Sequence, residues 1–202
     1  LEAKLLKSAD KVIALSPFSV KYIDKITVEK PVLIPNFCNN DFFQIPKKNN
    51  EPTEKFRIGY FGAISTANGL HKFLELAQYA QDHMLGQFEF ILVGEGKSKQ
   101  GLRHTSKELQ NITFLPEQSK IEIVKTILSC QASYISFVDS SIMQSCSPNK
   151  FFDSLASGRL IITNTAGWIG ELVESQSCGF YATTPEDFFE KITPYLTSKV
   201  LL

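Results

Sequence analysis

The sequence predicts an α/β fold built on a doubly wound parallel sheet, and two observations carry that prediction. Short apolar runs, too apolar to have a wet face, recur along the chain, and helix-length segments with 3.6-residue periodicity lie between most of them. A strand joined through a helix to the next strand makes parallel neighbours, with helices covering both faces of the sheet.

The expected strands are KVIAL (11–15), PVLIP (31–35), FRIGYF (56–61), FEFILVG (88–94), NITFL (111–115), ASYISF (132–137), RLIIT (159–163) and CGFYA (178–182). The expected helices are LHKFLELAQYAQ (70–81), SKQGLRHTSKEL (98–109), KIEIVKTILSC (120–130), PNKFFDSLAS (148–157) and PEDFFEKITPYL (185–196). In the N-terminal part, Ser16 followed by Pro17 marks a helix start directly after a strand, with the serine as cap and proline at the first helical position. The polar stretch QIPKKNNEPTEK (44–55) carries two prolines and is expected to be a linker. Three parts follow: residues 1–43, too short to be a domain alone; the linker 44–55; and the main unit 56–202.

At 202 residues and 43% hydrophobic content the chain can bury a substantial core. Lys and Arg total 21 against 21 for Asp and Glu, which argues against a nucleic-acid binder or a polybasic membrane anchor. Any anion site must therefore be built locally. No apolar run approaches the roughly 20 residues of a spanning helix, and the N-terminus lacks a signal peptide's apolar stretch. The chain is expected to be cytoplasmic, with peripheral contact at the inner membrane face left open. Cys38, Cys130, Cys146 and Cys178 show no CxxC spacing, so buried reduced thiols are expected and neither a metal nor a cofactor site is indicated.

In such a sheet, ligands bind beyond the carboxyl ends of the strands, and three loops there are informative. In GYFGAISTANGL (59–70), Gly62 follows a strand and Gly69 opens a helix, which permits a close backbone approach; the same glycines also suit a purely structural turn. ILVGEGKSKQGL (91–102) ends a strand in Gly94-Glu95-Gly96, again a tight turn with or without a ligand above it, while Lys97 and Lys99 are expected on a solvated face. In SPNKFFDSLASG (147–158), Ser147 is expected to cap, Pro148 to take the first helical position, and the amides of Asn149 and Lys150 to be unpaired. Asn149, Lys150 and Asp153 share one helix face, with Phe152 and Leu155 toward the core. Two readings stay open: a Lys150–Asp153 surface ion pair, or a diphosphate on the helix start with Lys150 neutralising it and Asp153 taking ribose hydroxyls.

ADKVIALSPFSVKYI and KPVLIPNFCNNDFF, then IGYFGAISTANGLHKFLELA, FILVGEGKSKQGL, NITFLPEQSKIEIVKTILSCQASYISF and SPNKFFDSLASGRLIITNTAGWIGELVE, resemble in order the successive blocks of retaining GT-B glycosyltransferases of family 4. The resemblance implies that residues 1–43 end the N-terminal domain and that 56–202 form the C-terminal, nucleotide-sugar-binding domain. It also implies a UDP-sugar donor, no metal, and a saccharide or lipid-linked acceptor bound mostly by the other domain. The family's two donor-bracketing glutamates fall at Ser145 and Asp153, so the ribose role carries over and the sugar role does not. Its two diphosphate-directed cations fall at Ala63 and Asn68, leaving Lys150 as the candidate substitute. Base contacts are expected at Phe114, Leu115 and Pro116, and Trp168 is expected in the core. The SPNK start and GAxxxAxGL loop are similar to bacterial capsule and O-antigen transferases, many using N-acetylated amino sugars. The resemblance names no catalytic base. A degenerate binding domain and a UDP-sugar 2-epimerase are the alternatives.

Overall fold

The computed structural model describes residues 1–40, 42, 54–84 and 86–197. Most of the expected linker 44–55 therefore lies outside the described residues. Every strand expected from the sequence is present: β1 (Ile13–Ala14), β2 (Val32–Leu33), β3 (Phe56–Phe61), β4 (Phe88–Val93), β5 (Ile112–Leu115), β6 (Ala132–Ile135), β7 (Leu160–Thr163) and β8 (Gly179–Tyr181). The helices are α1 (Glu2–Ser8), α2 (Pro17–Ile23), α3 (His71–His83), α4 (Lys99–Thr105), α5 (Lys120–Leu128), α6 (Ser141–Gln144), α7 (Asn149–Ala156), α8 (Trp168–Ser175) and α9 (Pro185–Thr197). Helices α6 and α8 were not expected. Each begins beside residues the periodicity does not distinguish: a single turn for α6, and glycine and tryptophan for α8.

Strands β3 to β8 form one parallel sheet in the order β5-β4-β3-β6-β7-β8. The chain starts in the middle, builds outward to β5, then crosses back and builds the other way from β6. Between β3 and β6 the connections diverge to opposite sides, which opens a crevice at their carboxyl ends. Alternation along each strand feeds both faces. Ile58, Tyr60, Phe90 and Leu92 join α3 and α9 on one face, where Phe73 stacks on Tyr134 with ring centroids 5.2 Å apart. Phe61, Ile91 and Val93 meet Val124 and Ile127 of α5 on the other face, beside Ile135 and Ile161 against Phe151 of α7 and Val173 of α8. The sheet is thus Rossmann-like, with helices on both sides.

The N-terminal residues form a separate parallel pair, β1 with β2, packed on α2. Ser16 caps α2 through its Oγ, 3.1 Å from the Ser19 amide, with Pro17 at the first helical position. Ile13, Leu15, Phe18, Val32, Leu33 and Ile34 of this piece remain exposed. The following stretch reaches the main unit at two points. Asn36 donates through Nδ2 to the Ser147 carbonyl at 2.5 Å, and Phe42 is fully buried among Phe61, Val93 and Ile127. Of the cysteines, all are free, and only Cys130 is buried; the other three are half-buried. No described helix is long and apolar enough to cross a membrane.

The loops after β3 and β4 touch backbone to backbone. A Cβ at Gly94 would lie 2.0 Å from the Gly62 carbonyl oxygen, and one at Gly96 2.2 Å from that of Ile64. Gly94 also holds φ at +145°, where other residues are strained. Gly94→Ala should therefore destabilise the protein by about 2 kcal/mol or more, measured as a lower midpoint in urea with unchanged slope.

Candidate functional site

A cleft lies at the carboxyl edge of the sheet, where the strand order reverses. It has a volume of about 580 Å³ and is walled by Gly62 and Ala63 after β3, Gly94 and Glu95 after β4, Glu117 and Gln118 before α5, Lys120 and Ile123 on α5, and Asn149, Lys150 and Asp153 on α7. Four chain segments distant in sequence converge there because parallel strands end on the same side.

Helix α7 begins one residue later than expected. Asn149 is its first residue, and the cap position falls on Pro148, which has no side-chain acceptor to offer. Ser147 therefore does not cap: its Oγ is buried with no partner among the described residues, and its carbonyl is taken by Asn36. The amides of Asn149 and Lys150 belong to the first turn, which has no intrahelical acceptor for them, and they carry the positive end of the helix dipole. The core contact of the helix is Phe151, fully buried, with Phe152 and Leu155 packed partly beside it.

The Lys150–Asp153 ion pair, one of the two readings left open, does not form. Lys150 turns away from its helix: its Nζ donates to the Tyr60 hydroxyl at 2.7 Å and to Asn68 Oδ1 at 2.9 Å, and sits 4.2 Å from the Tyr60 ring centroid. The Tyr60 hydroxyl in turn donates to the Ala63 carbonyl at 2.7 Å, and Asn68 Nδ2 donates to the same oxygen at 2.9 Å. Thus the two positions where a cation was looked for, Ala63 and Asn68, hold Lys150 in place instead. Its acceptors are neutral, and burial pulls its ammonium down to about 7, only partly countered by Cys146. Asp153 finds a different cation, Lys120 Nζ, 3.7 Å from Oδ2. Burial still raises the Asp153 carboxyl above its ordinary value, with Lys120 opposing.

Of the remaining sequence candidates, Phe114 packs toward α4 and lies under the Arg103 guanidinium at 5.6 Å, and Leu115 packs against the α5 side. Pro116 borders a neighbouring depression with Glu95, Lys97, Lys99 and Arg103. Lys99 is not solvated. It is buried, donating to the carbonyls of Gly94 at 2.8 Å and Leu115 at 3.2 Å and to Glu95 Oε1 at 2.5 Å, so it ties the ends of β4 and β5 together. Ser145 Oγ turns onto the Ile142 carbonyl at 2.6 Å. Trp168 packs against Phe151 and donates to the Cys146 carbonyl at 2.8 Å.

Lys120 is a charged cleft residue that sequence reasoning missed, along with Glu117, Gln118 and Ile123. Its signal was available: Ser119 and Glu122 form a reciprocal capping box immediately after β5, which places Lys120 at the start of a helix on the ligand edge of the sheet.

The sequence model of the family described as "Glycosyl transferases group 1" matches residues 55–198. The chain belongs to the group 1 glycosyltransferases. Solved structures of GT-B glycosyltransferases share this group 1 domain's fold. HepE of Anabaena, in complex with UDP-glucose, matches with a TM-score of 0.74 at 19% identity, over 98% of this chain and 57% of that one. WaaG, a glycosyltransferase involved in lipopolysaccharide biosynthesis, matches with a TM-score of 0.73 at 14% identity, over 95% and 55%. The C-terminal domain of a group 1 family protein, LpcC from Francisella tularensis, matches at 0.58 and 16% identity, over 78% of this chain and 90% of that domain. The group 1 chain therefore spans little more than half the length of HepE and WaaG. No curated protein matches its sequence significantly.

The depressed ammonium gives a stability signature. The unfolded chain holds the Lys150 proton up to about pH 10, whereas the folded protein releases it near 7. The unfolded state thus binds more protons between these values, so Lys150 makes stability rise with pH across that window and leaves a constant penalty below it. The stability of wild type relative to Lys150→Met should rise as pH goes from 7 toward 10, as read from denaturant titrations at both values.

Proposed function

We propose that this chain is the donor-binding half of a retaining glycosyltransferase that moves a sugar from a UDP-sugar to a surface polysaccharide or its lipid-linked precursor. One observation carries the reading: the α7 first turn, the Lys150 amine and the Asp153 carboxylate line one glycine-floored cleft where the strand order reverses. In this reading the diphosphate lies on the amides of Asn149 and Lys150, and Lys150 supplies the positive charge. Asp153 accepts ribose hydroxyls. Gly62 and Gly94 let the nucleotide approach the backbone, and Phe114 to Pro116 border the base. HepE bound to UDP-glucose and TarM bound to UDP support uridine nucleotides as the donor class, and WaaG supports a surface-glycan acceptor. We assign an N-acetylated donor sugar on the likeness of the SPNK helix start and the glycine loop to amino-sugar transferases.

Residues 1–43 are, in this reading, the end of the acceptor-binding domain, and 44–55 the linker between halves. The exposed apolar side chains of β1 and β2 support this, since a complete domain would cover them. Transfer requires closure of both domains on the donor, so the 202-residue chain should bind UDP without turning over UDP-sugars.

Thermal-shift and calorimetric titration with UDP test the reading. UDP at a hundredfold excess over its Kd should stabilise the chain by about 2.7 kcal/mol. Lys150→Ala and Asp153→Ala should each weaken binding by about tenfold or more, the scale of one charge-assisted hydrogen bond. Because a bound diphosphate would restore the Lys150 proton, binding at pH 8 should take up close to one proton, read from the buffer dependence of the enthalpy, and Lys150→Met should abolish that uptake. Absence of any UDP-induced shift would favour a degenerate domain kept for partner binding.

A further inference from the structure

A second depression of about 370 Å³ adjoins the cleft, bounded by Phe37 to Asn40 of the N-terminal stretch and by Lys120, Asn149 and Asp153. Lys120 and Asp153 therefore stand on the divide between two cavities. The lysine reaches across from the first residue of α5, and the carboxylate side chain is only 14% exposed while the lysine is 58% exposed. The start of α5 is held by the reciprocal Ser119–Glu122 capping box. The lysine ammonium also lies 5.9 Å from the ring centroid of Phe42, itself fully buried. An exposed lysine on the free surface would cover many rotamers, but here a ring below and a carboxylate in front define one direction.

We propose that Lys120 is a positioning residue for nucleotide binding, acting through Asp153 by keeping its carboxylate ionised and aimed into the cleft; this rests on the reading that Asp153 holds the ribose. An enclosed carboxyl loses hydration and drifts toward its neutral form. A neutral carboxyl carries a donating O–H on one oxygen and no negative charge, so it accepts from both hydroxyls of a cis diol less well than a carboxylate does. Other charged and titratable groups bordering these cavities are Glu95, Glu117, Lys150 and Cys38. The two glutamates would push the Asp153 carboxyl toward neutrality, and Lys150 is committed to Tyr60 and Asn68. Lys120 is the cation whose geometry opposes burial directly.

The test is calorimetry with UDP and 2′-deoxy-UDP from pH 5.5 to 8, on wild type, Lys120→Met and Lys120→Arg. The nucleotide's own phosphate titration is common to all three and cancels in affinity ratios. Wild type should prefer UDP to 2′-deoxy-UDP. In Lys120→Met the UDP affinity relative to wild type should fall further as pH drops from 8 to 5.5, because burial then raises the Asp153 carboxyl with no lysine opposing it. Lys120→Arg should stay within twofold of wild type throughout. A Lys120→Met ratio that is constant with pH, while discrimination between the two nucleotides persists, overturns the role of Lys120 alone. Equal wild-type affinity for both nucleotides removes the ribose contact at Asp153, and the role of Lys120 with it. Lys120 lies at a helix surface, so the variants should fold; matching circular dichroism spectra check this.

Discussion

The site depends on one ammonium group clamped between two side chains that are neutral. Lys150 reaches from α7 across to Tyr60 and Asn68, and through them to the Ala63 carbonyl. Three elements are thereby locked together: the end of β3, the turn before α3, and the start of α7. A carboxylate in the place of Asn68 would hold the lysine more tightly, yet it would quench the positive charge that an anion needs. Neutral acceptors fix the position of the cation while leaving its field unspent. The cost is a depressed ammonium, and that cost is greatest when no anion stands opposite it.

Around that clamp the chemistry is divided between cavities. Lys150 lines the cleft under the glycine turns, whereas Lys120 faces the Asp153 carboxylate at the divide. Lys99 serves neither as a surface charge, since it spans the carbonyls at the ends of β4 and β5. Three lysines of similar appearance in the sequence thus do three different things, and distance to the nearest acceptor decides which.

The sheet was legible in the sequence because parallel buried strands have an apolar signature that few other elements share, and all the expected strands are found in their places. Which loops carry the cleft was legible too, since they follow from the rule that ligands sit beyond strand ends. Side-chain partners were less legible. A spacing of three residues brings Lys150 and Asp153 to one helix face but says nothing of Tyr60, 90 positions away, whose hydroxyl lies nearer. The cap was equally hidden: Pro148 takes the cap position, and the Ser147 carbonyl accepts from Asn36, 111 positions upstream. Lys120 was missed because the helix was read from its periodicity alone, and the Ser119–Glu122 capping box that fixes its first residue went unread.

The two anchors ahead of the linker, Asn36 and Phe42, have a practical corollary for handling the protein. Everything before Asn36 brings a small two-stranded sheet with open edges and greasy side chains, the features that invite strands of other molecules to pair with it. The segments that wall the cleft all lie after Asn36. A shortened chain starting at Asn36 would shed that adhesive surface and keep the walls of the cleft.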